Sequence, residues 1–296
     1  MPRQRPALPR TAEKLARLAA PPPHTTAQLD YAARCFEQDP DATVIKAALA
    51  VLAAGEYPGL RPLLLGKFRY FAADPARRDQ GGGIRSLILH TLRPLVRPDD
   101  IPLLERAAST YEFLFGEAAG DLRAAALLTL NEVDDRLASF HCVRLLIDPH
   151  TSIMSGEPAA TAVRILAAQG QPLPLYAYLI REQAGVADVL AECLRNLTAL
   201  PASLLPPLVE RYLASDDEIV LLGLFDLLLA RPDRAEYQPA LLAFLRATTL
   251  YNSYRYLISA IVASREEPFI AALAALLPIE RDRQKHALLE EALALR

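Results

Sequence analysis

The sequence predicts an all-α protein, a solenoid of about seven to eight stacked antiparallel helical hairpins. Three observations carry this expectation. First, an aliphatic or small residue recurs at i, i+4 and i+8 in seven places: Val44-Ala48-Leu52, Ile84-Ile88-Leu92, Leu122-Ala126-Leu130, Pro158-Ala162-Leu166, Val186-Leu190-Leu194, Ile219-Gly223-Leu227 and Tyr254-Ile258-Val262. Their first members lie 40, 38, 36, 28, 33 and 35 residues apart, close to one hairpin each. Second, 52% of the chain is hydrophobic, mostly Leu and Ala, which favour helix. Third, no alternating apolar and polar run bounded by hairpin turns announces a strand.

Spacing of four sets the three residues of each frame on one stripe of a helix. A lone helical pair cannot bury both of its apolar stripes, and stacking the next pair covers the remainder. The frame therefore marks the second helix of each hairpin. Small middle members (Ala48, Ala126, Ala162, Gly223) allow close approach of neighbouring helices. Gly223 costs about 1 kcal/mol of helix propensity against Ala, which predicts a packing reason for it.

Residues 1–24 read as a basic, proline-rich tail, and 25–296 as a single domain. The tail holds Arg3, Arg5, Arg10, Lys14 and Arg17 against Glu13, and Pro21-Pro22-Pro23 ends a short helical stretch over 11–20. Its composition predicts a mobile or extended segment. First helices are expected near 25–38, 58–72, 99–110, 134–147, 172–183, 202–214, 235–247 and 267–277. Asp100 and Asp134 suit N-caps, and Pro58, Pro102, Pro172, Pro239 and Pro268 fall where a first turn tolerates a missing N–H. A last helix over 281–295 has a charged face and suits a capping element.

A net charge of −3, with +4 in the tail and −7 in the remainder, disfavours a dedicated nucleic-acid binder. Only Lys14, Lys46, Lys67 and Lys285 among the 32 basic residues are lysine, which we take as the mark of a GC-rich genome. Cys35, Cys142 and Cys193 are odd in number and far apart, so no disulfide framework is expected. No leader and no membrane span is legible, and a cytoplasmic location is expected.

The motifs around two of the frames resemble HEAT repeats, the helical hairpins of the armadillo-type superfamily. These are Asp79-Gln80-Gly81-Gly82-Gly83-Ile84-Arg85 and Glu117-Ala118-Ala119-Gly120-Asp121-Leu122-Arg123. The resemblance implies a right-handed α-solenoid in which Asp79 with Arg85, and Glu117 with Arg123, form a structural ladder between neighbouring repeats. Ala159, Ala187 and Val220 replace the arginine elsewhere, so the ladder is expected to be interrupted.

No catalytic, cofactor or metal site is predicted. The five histidines form no metal spacing with the cysteines. Gly81-Gly82-Gly83 lacks the lysine and hydroxyl of a phosphate loop and reads as the turn inside a hairpin. The acidic pairs Asp134-Asp135, Asp216-Asp217-Glu218 and Glu266-Glu267 sit at helix starts, where capping accounts for them. Asp148, His150 and Ser152 are close in sequence, which is weak evidence for a triad.

Three within-hairpin connections are long, about 73–83, 111–120 and 148–157, and insertions on one edge of a solenoid mark a binding side. They carry Arg77, Arg78, Tyr111, Phe113, Phe115, His150 and Met154, an anchor-like mixture of aromatics and arginine. A second candidate surface holds Tyr251, Tyr254 and Arg255. The expected function is a non-enzymatic protein–protein interaction scaffold, binding a partner on its concave face or on this edge. Two alternatives rest on the same resemblance: a DNA-binding or repair protein like the HEAT-like glycosylases, and a small-ligand protein like the tetrapyrrole lyases. The absence of any Trp counts against the first.

Overall fold

A computed structural model describes residues 10–21, 24–113, 115–181 and 185–295. Among them it is all-α, with eighteen helices. These are α1 Arg10–Leu18, α2 Thr26–Gln38, α3 Ala42–Ala54, α4 Leu60–Ala73, α5 Pro75–Arg78, α6 Gly83–Leu92, α7 Ile101–Ala108, α8 Gly120–Asn131 and α9 Asp135–Leu146. They continue as α10 Ala159–Ala168, α11 Pro172–Arg181, α12 Ala187–Arg195, α13 Pro206–Leu213, α14 Glu218–Ala230, α15 Gln238–Ala247, α16 Tyr251–Ser264, α17 Glu267–Leu276 and α18 Arg283–Ala294. The described residues hold no strand beyond one isolated bridge between Phe113 and Glu117.

The starts follow local chemistry. Side chains of Thr25, Asp41, Asp217 and Asp282 accept from free amides in the first turns of α2, α3, α14 and α18. Asp134 does the same for α9, accepting from the Leu137 amide at 2.8 Å. Asp100 does not cap α7. Its buried carboxylate takes the Arg61 guanidinium at 2.7 Å and the Arg97 amide at 3.0 Å, because a charged donor satisfies it better than a helix amide.

The chain divides into two compact units, residues up to His141 and from Cys142 onward, the division falling inside α9. In the first unit, α2 packs on α3, α4 on α6 and α7 on α8, while α3, α6 and α8 pack in succession. The frame residues Val44, Ala48, Leu52, Ile84, Ile88, Leu92, Leu122, Ala126 and Leu130 are all buried there. Each buried Leu or Ile contributes roughly 1.5–3 kcal/mol of transfer free energy. α1 belongs to this packing: Leu18 is buried, Lys14 pairs with Asp39 at 2.5 Å, Thr11 donates to Asp41 at 2.9 Å, and the Arg17 guanidinium lies 4.0 Å from the centre of the Tyr31 ring. The rest of the expected tail, up to Pro9, and Pro22 and Pro23, lie outside the described residues.

In the second unit, α10, α12, α14, α16 and α18 pack in succession, with α11 on α13 and α15 on α17. Gly223 sits where α14 crosses α12, and a Cβ there would lie 2.5 Å from the Ala191 Cα. Ile219, expected on the buried stripe, is instead 43% exposed. The Asp217 cap takes the Ile219 and Val220 amides and fixes the first turn so that Val220 points inward. Successive hairpins are also tied by side chains that donate to carbonyls about one hairpin back. Tyr212 reaches Leu179 O at 2.7 Å, Arg231 reaches Leu200 O at 2.7 Å, and Lys285 reaches Leu245 O at 3.0 Å. Two of these carbonyls, on Leu179 and Leu245, lie in the last turn of a helix and lack an intrahelical partner.

Candidate functional site

The strongest arrangement of expected site residues is in the first unit, where the turn 74–83 meets the loop 109–119. Gly81 and Gly82 both adopt left-handed φ, +76° and +74°, which glycine alone tolerates cheaply. A side chain would also collide at Gly82, where a Cβ would lie 2.9 Å from Leu122. This bend aims the Asp79 carboxylate back at the start of α6, where it accepts from the Ile84 amide at 2.7 Å, the Arg85 amide at 2.9 Å and the Arg85 side chain at 2.9 Å.

Arg85 then reaches out of its own hairpin. Its guanidinium donates to Glu112 at 2.6 Å, and the other Glu112 oxygen accepts from the Gly81 amide at 2.9 Å. Arg123 makes the matching pair within the next hairpin, 2.8 Å from Glu117, and donates to Thr110 O at 3.0 Å. Glu117 also accepts from the Ala119 amide at 2.7 Å and the Glu112 amide at 3.2 Å. Burial opposes ionisation of Glu117, but the Arg123 guanidinium and the two amides hold its carboxyl below the usual value. Glu112, expected only as a member of the loop and not as a rung of the ladder, ties these two hairpins here, while Thr129 and Arg93 tie them farther along. A glutamate in a loop carries no sequence signal for that role.

The loop so anchored presents aromatics in two ways. Tyr111 lies under the Arg123 guanidinium, 4.2 Å from ring centre to Cζ. Phe113 is 63% exposed, and Phe115 stands fully in water. Arg77 and Arg78 are exposed on α5, beside a cleft of about 560 Å³ that is also lined by Lys67 and Tyr70 on α4. Lys67 and Tyr70 were not singled out from the sequence, although their i, i+3 spacing places them together on one helix face.

The other expected residues belong to the second unit. His150 and Met154 are exposed in the connection between α9 and α10, with Ile153 exposed beside them. The neighbouring Asp148 and Ser152 bond to their own loop: Asp148 accepts from the His150 amide at 2.9 Å, and Ser152 Oγ from the Met154 amide at 3.2 Å. Both are thus engaged in shaping a turn.

Arg255 is exposed and lines a groove of about 610 Å³ between α14 and α16 with Ile219, Asn252 and Tyr256. Tyr251 is half-buried and donates to Asp282 at 2.7 Å. Tyr254 does not belong to any surface. It is 1% exposed and packs beneath Lys285, whose ammonium is 5.2 Å from the ring centre. As the first member of a frame triad it faces the neighbouring helix, and burial pushes its hydroxyl up to about 12. Tyr256 is raised to about 12 as well, first by burial and then by its hydrogen bond to Asp226 at 2.5 Å.

Among the described residues no group of three or more His, Cys, Asp or Glu side chains could hold a metal ion, and no helix is long and apolar enough to cross a membrane. All three cysteines are free and buried. Burial pushes the Cys142 thiol up to about 12 and Cys193 higher still, so neither is a ready nucleophile. In comparisons with known proteins, no family model, no curated protein and no solved structure matched this chain.

Proposed function

We propose that this chain is a non-enzymatic interaction scaffold of the HEAT-like α-solenoid type. A partner protein would dock on the edge formed by the turn 74–83 and the loop 109–119. The observation that carries this is the pairing of a rigid base with an apolar tip. Buried ion pairs pin Glu112 and Glu117, while Phe113 and Phe115 between them stand in water. Exposed phenylalanines oppose solubility and add nothing to the core. Carried between two anchored glutamates, they lose less conformational entropy on binding than they would on an untethered segment. Arg77 and Arg78 flank the tip with the residue type that interfaces favour beside aromatics.

The solenoid reading draws support from the succession of packed second helices within each unit and from side chains that link one hairpin to the next. The test is a paired variant, Phe113→Ser with Phe115→Ser, which spares Tyr111 because that ring covers Arg123. Crosslinking and mass spectrometry from native lysate is expected to capture a partner with the parent chain and lose it with the variant, at an unchanged melting midpoint. Capture of the same proteins by both, or loss of helicity in the variant, would refute the assignment.

A further inference from the structure

The cleft beside α5 carries a charge imbalance to which the interaction edge contributes Arg77 and Arg78 but not Lys67. It is walled by Pro40, Ile45, Leu63 and Phe71, and its cations are Lys67, Arg77 and Arg78. Its acids are Glu37 and Asp39. Asp39 is already satisfied, by Lys14 at 2.5 Å and by the Asp41 amide at 3.0 Å. That leaves three cations facing one carboxylate.

Lys67 is the telling residue. No carboxylate of a described residue comes within ion-pair reach of its ammonium, which instead lies 4.8 Å from the Tyr70 ring centre and 5.6 Å from that of Phe71. Burial lowers its pKa, only partly offset by the carboxylate of Glu37, so the ammonium is partly stripped of water without an ion pair to replace it. Arg78 shares the Tyr70 ring at 4.2 Å and anchors itself on Tyr70 O at 2.8 Å, which holds its fork at the cleft. Arg77 is largely free in water, with only a long 4.0 Å contact to Asp74.

We infer that this cleft binds a phosphate monoester on a small apolar body, its dianion seated among Lys67, Arg77 and Arg78. An excess of two positive charges among the lining residues, or one when the long Arg77–Asp74 contact is counted, suits a group that carries about −1.5 to −2 at neutral pH. Arginine supplies the planar fork that suits phosphate, and lysine the point charge. A volume of about 560 Å³ exceeds what an inorganic ion needs and falls in the range of small-ligand sites. Pro40, Ile45, Leu63 and Phe71 supply the apolar wall for the remainder of the molecule.

The experiment titrates the full chain by calorimetry with phenyl phosphate, inorganic phosphate and phenol. Phenyl phosphate is expected to saturate one site, inorganic phosphate to bind at least about tenfold more weakly, and phenol not to bind, since about 1.4 kcal/mol separates each tenfold step. Lys67→Met keeps the stem and removes the charge. It should weaken phenyl phosphate by about tenfold or more and leave the ligand-free melting midpoint unchanged or higher. Arg77→Gln, at an exposed position, should weaken it severalfold and carries the test if Lys67→Met fails to fold. Absence of saturable phenyl phosphate binding would overturn the assignment. So would equal binding of phenol, or phenyl phosphate binding that both variants leave intact. Binding should persist in the Phe113→Ser, Phe115→Ser variant, which separates this site from the partner edge.

Discussion

Gly223→Ala offers a sharp test, because two effects of known size oppose each other at one position. In a solvent-facing helix this change is worth up to about 1 kcal/mol of stability, since glycine surrenders more backbone entropy than alanine. At Gly223 the added Cβ would lie 2.5 Å from Ala191 Cα, 2.7 Å from Ala191 O and 2.8 Å from Ala191 Cβ. Carbon atoms in contact prefer about 3.5–4.0 Å, so α14 must retreat from α12 by roughly 1 Å. Two of the three clashing atoms are backbone and cannot rotate away.

Overpacking of this kind costs about 1–3 kcal/mol, and the upper end applies where backbone must move. Subtracting the helical gain leaves a net loss of about 2 kcal/mol, or roughly 3 °C in melting midpoint for a chain of 296 residues. Urea unfolding followed by far-UV circular dichroism measures it. Gly66→Ala in α4 is the control. No atom lies within 4 Å of a Cβ placed there, and the glycine is exposed. That variant should gain about 0.5–1 kcal/mol. Ala191→Gly added to Gly223→Ala should recover only part of the loss, since it removes the Cβ and leaves the Cα and carbonyl. A midpoint for Gly223→Ala equal to or above that of the parent would refute the close-approach argument.

Three further outcomes are expected. Arg123→Met should cost about 3–5 kcal/mol and loosen the loop 109–119, seen as faster hydrogen exchange there, because Glu117 is left buried without its cation. Glu117 has a lowered pKa, so its contribution is fully present above the ordinary value of 4.5 and is lost as pH falls through the lower folded-state value. Stability of the parent should therefore fall on acidification in that window, and Glu117→Gln should flatten the fall. Iodoacetamide should leave Cys35, Cys142 and Cys193 unmodified in the native chain at neutral pH and label all three in urea, because each thiol is buried. Mass spectrometry reads the difference, and rapid native labelling would contradict the packing around them.

Much of the helical content was legible because it rests on local rules. Residues four apart share a stripe, and Asp or Thr starts a helix by binding its free amides, whatever the rest of the chain does. Of the candidate site, the pairs Asp79–Arg85 and Glu117–Arg123 were expected only from the resemblance to HEAT repeats, as rungs between neighbours, and each instead closes within its own hairpin across six residues. Tyr254 was misjudged because a tyrosine carries signals for surface and for core, and only the neighbouring α18 with Lys285 decides between them.

The sequence by itself determined the approximate start of most helices, the apolar stripe of most second helices, and that Gly223 has a packing reason. The tertiary structure alone decided that Glu112 joins two hairpins across 27 residues and that Phe115 stands clear of the core. It also decided that Lys67, Arg77 and Arg78 line one cleft. Helix geometry fixes relations between residues three to eight apart. Relations between hairpins follow from how one apolar stripe settles on the next, and no spacing along the chain records that.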